Sequence, residues 1–280
     1  MSGKFYVVAT PIGNLNDITY RAVDIFKSVD LIASEDTRHT QGLLSHFSIE
    51  KKQFAVHQHN EKASAQKIIE YLKDGKHIAL VSDAGTPNIS DPGGLIVKEV
   101  AAAGFEIIPI PGVSAVTTAY SVSGLEHTSF HFHGFLPTTS SQRIKIFESL
   151  KGQLCPMIFY EAPHRIIKTL TDMADFFGSD HHIVVARELT KTFESIYRGP
   201  ISKVKETIES DSNFQKGEFV ILVSPIHHEK KELLTEDQHR ILKILLNHMP
   251  TNAAVKLGAE ILNINKNHLY GEALKIKKDD

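Results

Sequence analysis

The stretch Val81–Gly94 reads VSDAGTPNISDPGG, and its place in the chain decides the fold. An apolar run, His77–Val81, precedes it, and helical spacing over Leu95–Ala103 follows. Gly, Pro, Ser and Asp therefore dominate a connection from a strand to a helix. In open α/β sheets such connections lie outside the carboxyl ends of the strands, where ligands bind.

Towards the N-terminus the same unit recurs. Lys4–Ala9 has a buried-strand pattern and runs into Thr10-Pro11-Ile12-Gly13, a tight turn or a ligand-facing loop. A helix is expected over about Thr19–Ser28, then a strand over Asp30–Ser34 that delivers Glu35-Asp36-Thr37-Arg38 at its carboxyl end. Two acids and an arginine are costly if buried unpaired, and Asp36 or Thr37 could equally cap the helix carrying Leu43 and Leu44. His57-Gln58-His59-Asn60-Glu61 looks superficially like a metal site, but its histidines are not one helical turn apart. Asn60 reads instead as the cap of a helix over Glu61–Lys73. Beyond the central stretch, Phe105–Ile110 is a further strand, ended by Pro111-Gly112-Val113-Ser114-Ala115, where Ser114 is free to cap a helix or touch a ligand. This regular alternation predicts a parallel sheet with helices on its faces.

The pattern weakens over Tyr120–Thr128, the expected boundary between a first α/β domain (1–121) and a second (122–226). Strands are expected over Phe130–Phe135, Met157–Tyr160, Ile183–Ala186, Ile196–Gly199 and Glu218–Val223, with helices over Ser141–Leu150 and Ile201–Ile208. Two strand ends carry mixed charge: Glu161-Ala162-Pro163-His164-Arg165 and Arg187-Glu188-Leu189-Thr190-Lys191. Structural ion pairing explains either cluster alone, whereas both at successive strand ends point to a shared polar cleft. From 227 to 280 the sequence turns charged and then helical, over Thr235–Asn247, Thr251–Leu262 and Lys266–Lys275. A helix-turn-helix is allowed there, but nine Lys/Arg against eight Asp/Glu between Glu229 and Asp280 leave little field for nucleic acid.

Composition bounds the class. The 280 residues carry a formal charge of −2, so any nucleic-acid partner must be held by local basic groups. One cysteine, Cys155, rules out an internal disulfide and a CxxC site. No apolar run reaches a membrane span and the first residues lack the regions of a signal peptide, so a cytoplasmic protein is expected. There is no G-x-G dinucleotide fingerprint, no phosphate-loop motif and no G-x-S-x-G nucleophile elbow. From the residues alone, the chain is an α/β enzyme whose loops at Pro11, Gly85 and Ser114 meet an uncharged or mildly charged ligand.

ATPIGNLNDIT, EDTR, VSDAGTPNISDPG, PGVSA, GFLP, FYEAPHR and ARELTK occur in this order over residues 4–224. In these motifs the chain resembles the small-subunit ribosomal RNA methyltransferases of the tetrapyrrole methylase superfamily. The resemblance implies two α/β domains with a cofactor cleft between them, plus a small C-terminal helical module. It implies methyl transfer from S-adenosyl-L-methionine to the ribose 2′-hydroxyl of a cytidine in the decoding region of 16S ribosomal RNA, with the 30S subunit as partner, usually by a homodimer. Carried over by position, Pro11, Asp83, Gly85, Thr86, Ile89, Ser114, Ala115, Tyr160 and Ala186 would hold the cofactor. Thr86 stands where superfamily relatives have aspartate, so hydroxyl and backbone groups must supply more of the hydrogen bonding. The base expected to take the ribose proton is Lys191, then Asp36 or Glu188; a lysine in that role needs its pKa lowered. Arg38, Arg165 and Arg187, with Glu161 and His164, are expected on the substrate side, because guanidinium forks match phosphate oxygens. Two alternatives are a small-molecule tetrapyrrole methylase and a non-catalytic RNA-binding protein.

Overall fold

The computed structural model describes residues 2–57, 60–225, 234–264 and 266–279, without the side chains of 267, 268, 278 and 279. By compactness the chain divides into Met1–Ile226 and His227–Asp280. Gln58, His59, the charged run 226–233 and Asn265 lie outside the described residues, so the histidine cluster is described only in part.

The first unit begins with β1 (Phe5–Val8), α1 (Tyr20–Ser28), β2 (Leu31–Ser34), α2 (Thr37–His46), β3 (Lys52–Ala55), α3 (Glu61–Lys73), β4 (Ile78–Val81), α4 (Gly94–Ala102), β5 (Ile107–Ile110) and α5 (Ala115–Ser121). Its strands pair in parallel in the order β3-β2-β4-β1-β5. A parallel sheet is covered on both faces, and β4 shows why its sequence IALV has no polar alternation. Ile78 and Leu80 pack with Ile68, Leu72, Ile96 and Val100 on one face. Ala79 and Val81 pack with Phe26, Ile32, Leu43 and Leu44 on the other. Helix starts follow local chemistry: the Thr19 hydroxyl accepts from Ala22 N, and the Asp36 carboxylate from Arg38 N. Asn60 precedes α3 but caps it differently from expectation, since its Oδ1 accepts from His57 N at 2.7 Å and Ser64 Oγ at 3.2 Å.

The chain then forms β6 (His131–Phe135), α6 (Ser140–Leu150), β7 (Met157–Glu161), a 3-10 turn (Pro163–Arg165), α7 (Ile166–Phe177), β8 (His182–Arg187), β9 (Ser195–Pro200), α8 (Ile201–Glu209) and β10 (Phe219–Val223). These strands make a second sheet, ordered β6-β7-β10-β8-β9. Only the β6–β7 pair is parallel; β10 runs antiparallel between β7 and β8, and β8–β9 is a hairpin. One face buries Phe147, Phe159, Leu170, Met173 and Ile221. The other face, through Ile158, Val184, Ala186, Val220 and Leu222, packs on Val116 and Ala119 of α5 and on Ile12. Helix α5 thus leaves the first sheet and lies on the second, which brings the loops of both together.

The second unit, described by itself, contains α9 (Glu236–His248), α10 (Thr251–Leu262) and α11 (Lys266–Asp279) around Leu242, Val255, Leu269, Ala273 and Ile276. A capping box between Thr235 and Gln238 starts α9, and Asn263 in the left-handed region ends α10.

Candidate active site

The carboxyl ends of β1, β2, β4 and β5 carry the loops singled out in the sequence, and their hydrogen bonds show how they are fixed. Gly85 pairs with Thr10 in both directions, Thr10 N donating to Gly85 O at 2.9 Å and Gly85 N to Thr10 O at 3.0 Å. A glycine is needed there, because φ is +80° and an added Cβ would sit 3.3 Å from Ile12 Cγ2. Thr86 Oγ1 donates to Val113 O at 3.0 Å, tying the central loop to the turn before α5. Asp83 Oδ1 accepts from Asp36 N at 2.9 Å.

These loops line a cavity of about 440 Å³ closed on its far side by the second sheet. Of the residues expected to hold the cofactor, Asp83, Gly85, Thr86, Ile89, Ser114, Ala115 and Tyr160 line it, as does Glu161. Tyr160 reaches from the second sheet towards the first, its hydroxyl turned to the Val116 amide and the Ser114 side chain, and Ser114 makes no cap hydrogen bond to α5. Burial, then Asp91, pushes that phenol up to about 12, so it stays a neutral anchor. Two expectations are displaced. Pro11 lines the neighbouring groove rather than the cavity, and Ala186 is fully buried beneath α5.

The cavity that these loops line is acidic. Glu35, Asp83, Asp91, Glu161 and Glu218 line it, and among its described lining residues there is no Lys, Arg or His. Burial, then the Asp83 charge, raises the Glu35 carboxyl. Burial, then Glu35, raises Asp91 to about 6, against a hydrogen bond from Ser82. Sequence reading singled out neither for the cofactor side. The available signal was topological: β2 pairs with β4, with Ser34 opposite Val81, so the residues after each strand must converge.

Beside the cavity runs a groove of about 530 Å³ that shares Ile12, Asp83, Ala84 and Glu218 with it and adds Pro11, Arg38, His39 and Lys191. The Arg38 side chain is 90% exposed and forks onto Asp36 at 2.7 and 3.1 Å. That hydrogen bonding holds Asp36 far below the ordinary carboxylate range, so Asp36 is a poor base. Lys191 fails the condition set for it. Burial alone would lower its pKa, but hydrogen bonds to Glu188 Oε1 at 2.8 Å and Glu218 Oε2 at 2.9 Å raise it, and the amine stays charged. Glu188 is correspondingly held low: Lys191 and the Glu218 amide outweigh burial.

The remaining residues expected on the substrate side have partners within the protein or stand apart from the groove. Arg187 is 6% exposed and donates to the carbonyls of Lys216 (2.7 Å), Phe193 (3.1 Å) and Asn213 (2.7 Å), which makes it a structural tie, not a phosphate fork. Arg165 donates to Leu136 O at 3.1 Å and pairs with Glu161 at 2.6 Å. Glu161, fully buried, also accepts from Thr169 Oγ1 at 2.6 Å and Ala162 N at 2.7 Å. His164 is exposed on its 3-10 turn and lines none of these cavities.

Residues 4–205 match the model of the tetrapyrrole (corrin/porphyrin) methylases, and residues 232–277 that of the RsmI C-terminal HTH domain. Ribosomal RNA small subunit methyltransferase I of Vibrio cholerae serotype O1 is 49% identical over 95% of this chain and 92% of its own length. The protein of the same name from Neisseria meningitidis serogroup B is 44% identical over 99% of this chain and 95% of its own. Among solved structures, uroporphyrin-III C-methyltransferase from Thermus thermophilus complexed with S-adenosylhomocysteine superposes with a TM-score of 0.55 at 14% identity, covering 79% of this chain and 97% of that one. The sheet order, the loops at the strand ends and these matches together place the chain in the tetrapyrrole methylase family and, within it, in the ribosomal RNA small subunit methyltransferase I family.

Proposed function

We propose that the protein transfers a methyl group from S-adenosyl-L-methionine to the ribose 2′-hydroxyl of a cytidine in the decoding region of 16S ribosomal RNA. The observation that carries this is the acidic cavity opening onto a groove that holds Arg38 and Lys191. Glu161 is neutralised by Arg165 and Glu218 by Lys191, but a ligand with a sulfonium and an ammonium still fits the Glu35, Asp83 and Asp91 side of the cavity, whereas a nucleoside phosphate would be repelled there. The names of the Vibrio and Neisseria relatives supply the substrate class. By the same family likeness we infer a homodimer acting in the cytoplasm on the small subunit; no helix among the described residues is long and apolar enough to cross a membrane.

On this reading Gly85, Thr86 and Ile89 form the floor of the donor site, Ser114 and Ala115 its side, and Tyr160 its far wall. When bound, the donor supplies a methyl already activated on sulfur, so the protein's task is alignment and removal of one proton. Of the base candidates, Lys191 is charged and Asp36 and Glu188 are held low. Glu35, raised by burial and lining the cavity, takes the hydroxyl proton in our proposal. Lys191, fixed between Glu188 and Glu218, orients the nucleotide, and Arg38 meets a phosphate.

Incubation with methyl-labelled S-adenosylmethionine and either small ribosomal subunits or bare 16S RNA, followed by digestion to nucleosides, tests the proposal. Label is expected in 2′-O-methylcytidine. Label only in an added tetrapyrrole would favour a small-molecule methylase, and no transfer to any acceptor would favour a non-catalytic binder.

A further inference from the structure

Phe193 is a large apolar side chain that is 72% exposed, on the loop between β8 and β9. Such a residue on a mobile tip would need no explanation, but this loop is tied down at nearly every position. Glu188 N donates to Glu218 O, Lys191 N to Glu188 O and Glu194 N to Lys191 O, at 2.9, 3.0 and 3.1 Å. Thr190 N donates to Glu194 Oε2 at 2.6 Å, and the Thr190 hydroxyl accepts from Asn14 N at 3.1 Å, joining the loop to the turn after β1. Glu188 and Thr190 sit in the left-handed region, at φ 50° and 66°, a conformation that side chains other than glycine, Asn and Asp seldom adopt. The Phe193 carbonyl itself is held from inside by the buried Arg187 guanidinium at 3.1 Å and from outside by Ser195 Oγ at 3.2 Å. The backbone is thus fixed while the ring is left in water.

The ring also stands at the end of a continuous path. Phe193, Asn14, Thr190 and Lys191 line a depression of about 810 Å³ that shares Gly13, Leu15 and Lys191 with the Arg38 groove. That groove shares Ile12, Asp83, Ala84 and Glu218 with the donor cavity. Gly13 keeps the path's wall closed, since a Cβ there would lie 2.5 Å from Lys191 Cγ and 3.2 Å from Leu189 O.

We propose that Phe193 is a preorganised stacking platform for an unpaired nucleobase of the RNA substrate, flanking the nucleotide whose ribose reaches the donor cavity. The proposal rests on the RNA-methylation reading above and adds to it a residue that determines substrate binding. Its chemistry is that of single-strand recognition generally: an aromatic face accepts any base, costs little conformational entropy when its backbone is rigid, and is exposed when the RNA is absent. Continuity with the donor site favours RNA over a second copy of the chain as the occupant.

The test uses the full-length protein and small ribosomal subunits lacking the methyl mark. Phe193→Ala is expected to raise KM for subunits about 5- to 100-fold, with kcat at saturation changed much less, and Phe193→Trp to bring KM back towards that of the parent. Thermal midpoint and S-adenosylmethionine affinity are expected to stay put in both, because the ring is exposed and lines no part of the donor cavity. The chain contains no tryptophan, so Phe193→Trp also supplies a single tryptophan that can be excited apart from the seven tyrosines. Its emission is expected to be quenched by a cytidine-rich single-stranded RNA oligonucleotide. An unchanged KM in Phe193→Ala, a loss confined to kcat, or a change of oligomeric state in its place would overturn the proposal. Parallel assays of the parent protein separate this from the wider reading: parent methylation with an indifferent Phe193→Ala sinks only the platform, whereas absence of parent methylation sinks the reading beneath it.

Discussion

Asp91→Asn is expected to weaken S-adenosylmethionine binding by roughly 10- to 150-fold, the range for losing one charged partner in a partly desolvated site. The same change is expected to stabilise the cofactor-free protein. Asp91 is raised to about 6 by burial and by the neighbouring Glu35 charge, so folding costs free energy whenever this carboxyl is ionised. The sign follows from proton counts. Between the unfolded value near pH 4 and the folded value the native state holds more protons, so the stability contributed by this group falls as pH rises through that window. Asn behaves like the protonated acid, so its advantage grows as pH rises from about 4 and is complete above about pH 6. Binding of a cation runs the other way: it draws the carboxyl into its ionised form, so affinity in the parent protein should rise with pH through about 6 and flatten in Asp91→Asn. Calorimetric titration and thermal melts at about pH 5 and about pH 8 read both effects. Equal affinity and equal melting behaviour in the two proteins would remove Asp91 from the donor site.

Arg165→Ala is expected to destabilise the protein by about 3–5 kcal/mol, a fall in melting temperature on the order of 10 °C. The cause is the group left behind. The Glu161 side chain is 0% exposed and would be left with only the Thr169 hydroxyl and its neighbouring amide for partners. Arg38→Ala, by contrast, removes a guanidinium whose side chain is 90% exposed, and its effect on melting is expected to be within error. Its effect on RNA should be the larger one: weaker binding, and a salt dependence reduced by the equivalent of about one phosphate contact. Denaturation curves together with RNA binding across a salt titration tell the two arginines apart. A melting temperature unmoved by Arg165→Ala, or a salt slope unmoved by Arg38→Ala, would overturn the role assigned to that arginine.

That two arginines of the same motif class should have opposite tasks marks where sequence reading ends. Buried parallel strands such as Ile78–Val81 are visible as apolar runs because both of their faces are covered. The loops after them are visible because turns require particular residues, as Gly85 shows with its φ of +80°. By the same logic β3 escaped notice: it is a short edge strand, KQFA, with no fully buried residue. Side-chain partners are set by topology, which spacing along the chain does not reveal. Arg187 is held by carbonyls of Asn213 and Lys216, and Lys191 by Glu218, because β10 inserts beside β8. Glu35 and Asp91 meet for a similar reason, since β2 lies next to β4 and the long loop after β4 folds back over both. The same convergence gathers Glu35, Asp83 and Asp91 along one cavity, the property that on the proposed reading suits a cationic methyl donor.

On the proposed reading, the cavity at the strand ends holds the methyl donor while the adjoining groove receives the RNA. A crystal structure with S-adenosylhomocysteine tests it most directly. Density for the ligand is expected between the Gly85–Thr86 loop, Ser114–Ala115 and Tyr160, with the sulfur facing the groove that contains Arg38 and Lys191. Density elsewhere on the chain, or a ligand whose sulfur points away from that groove, would contradict it.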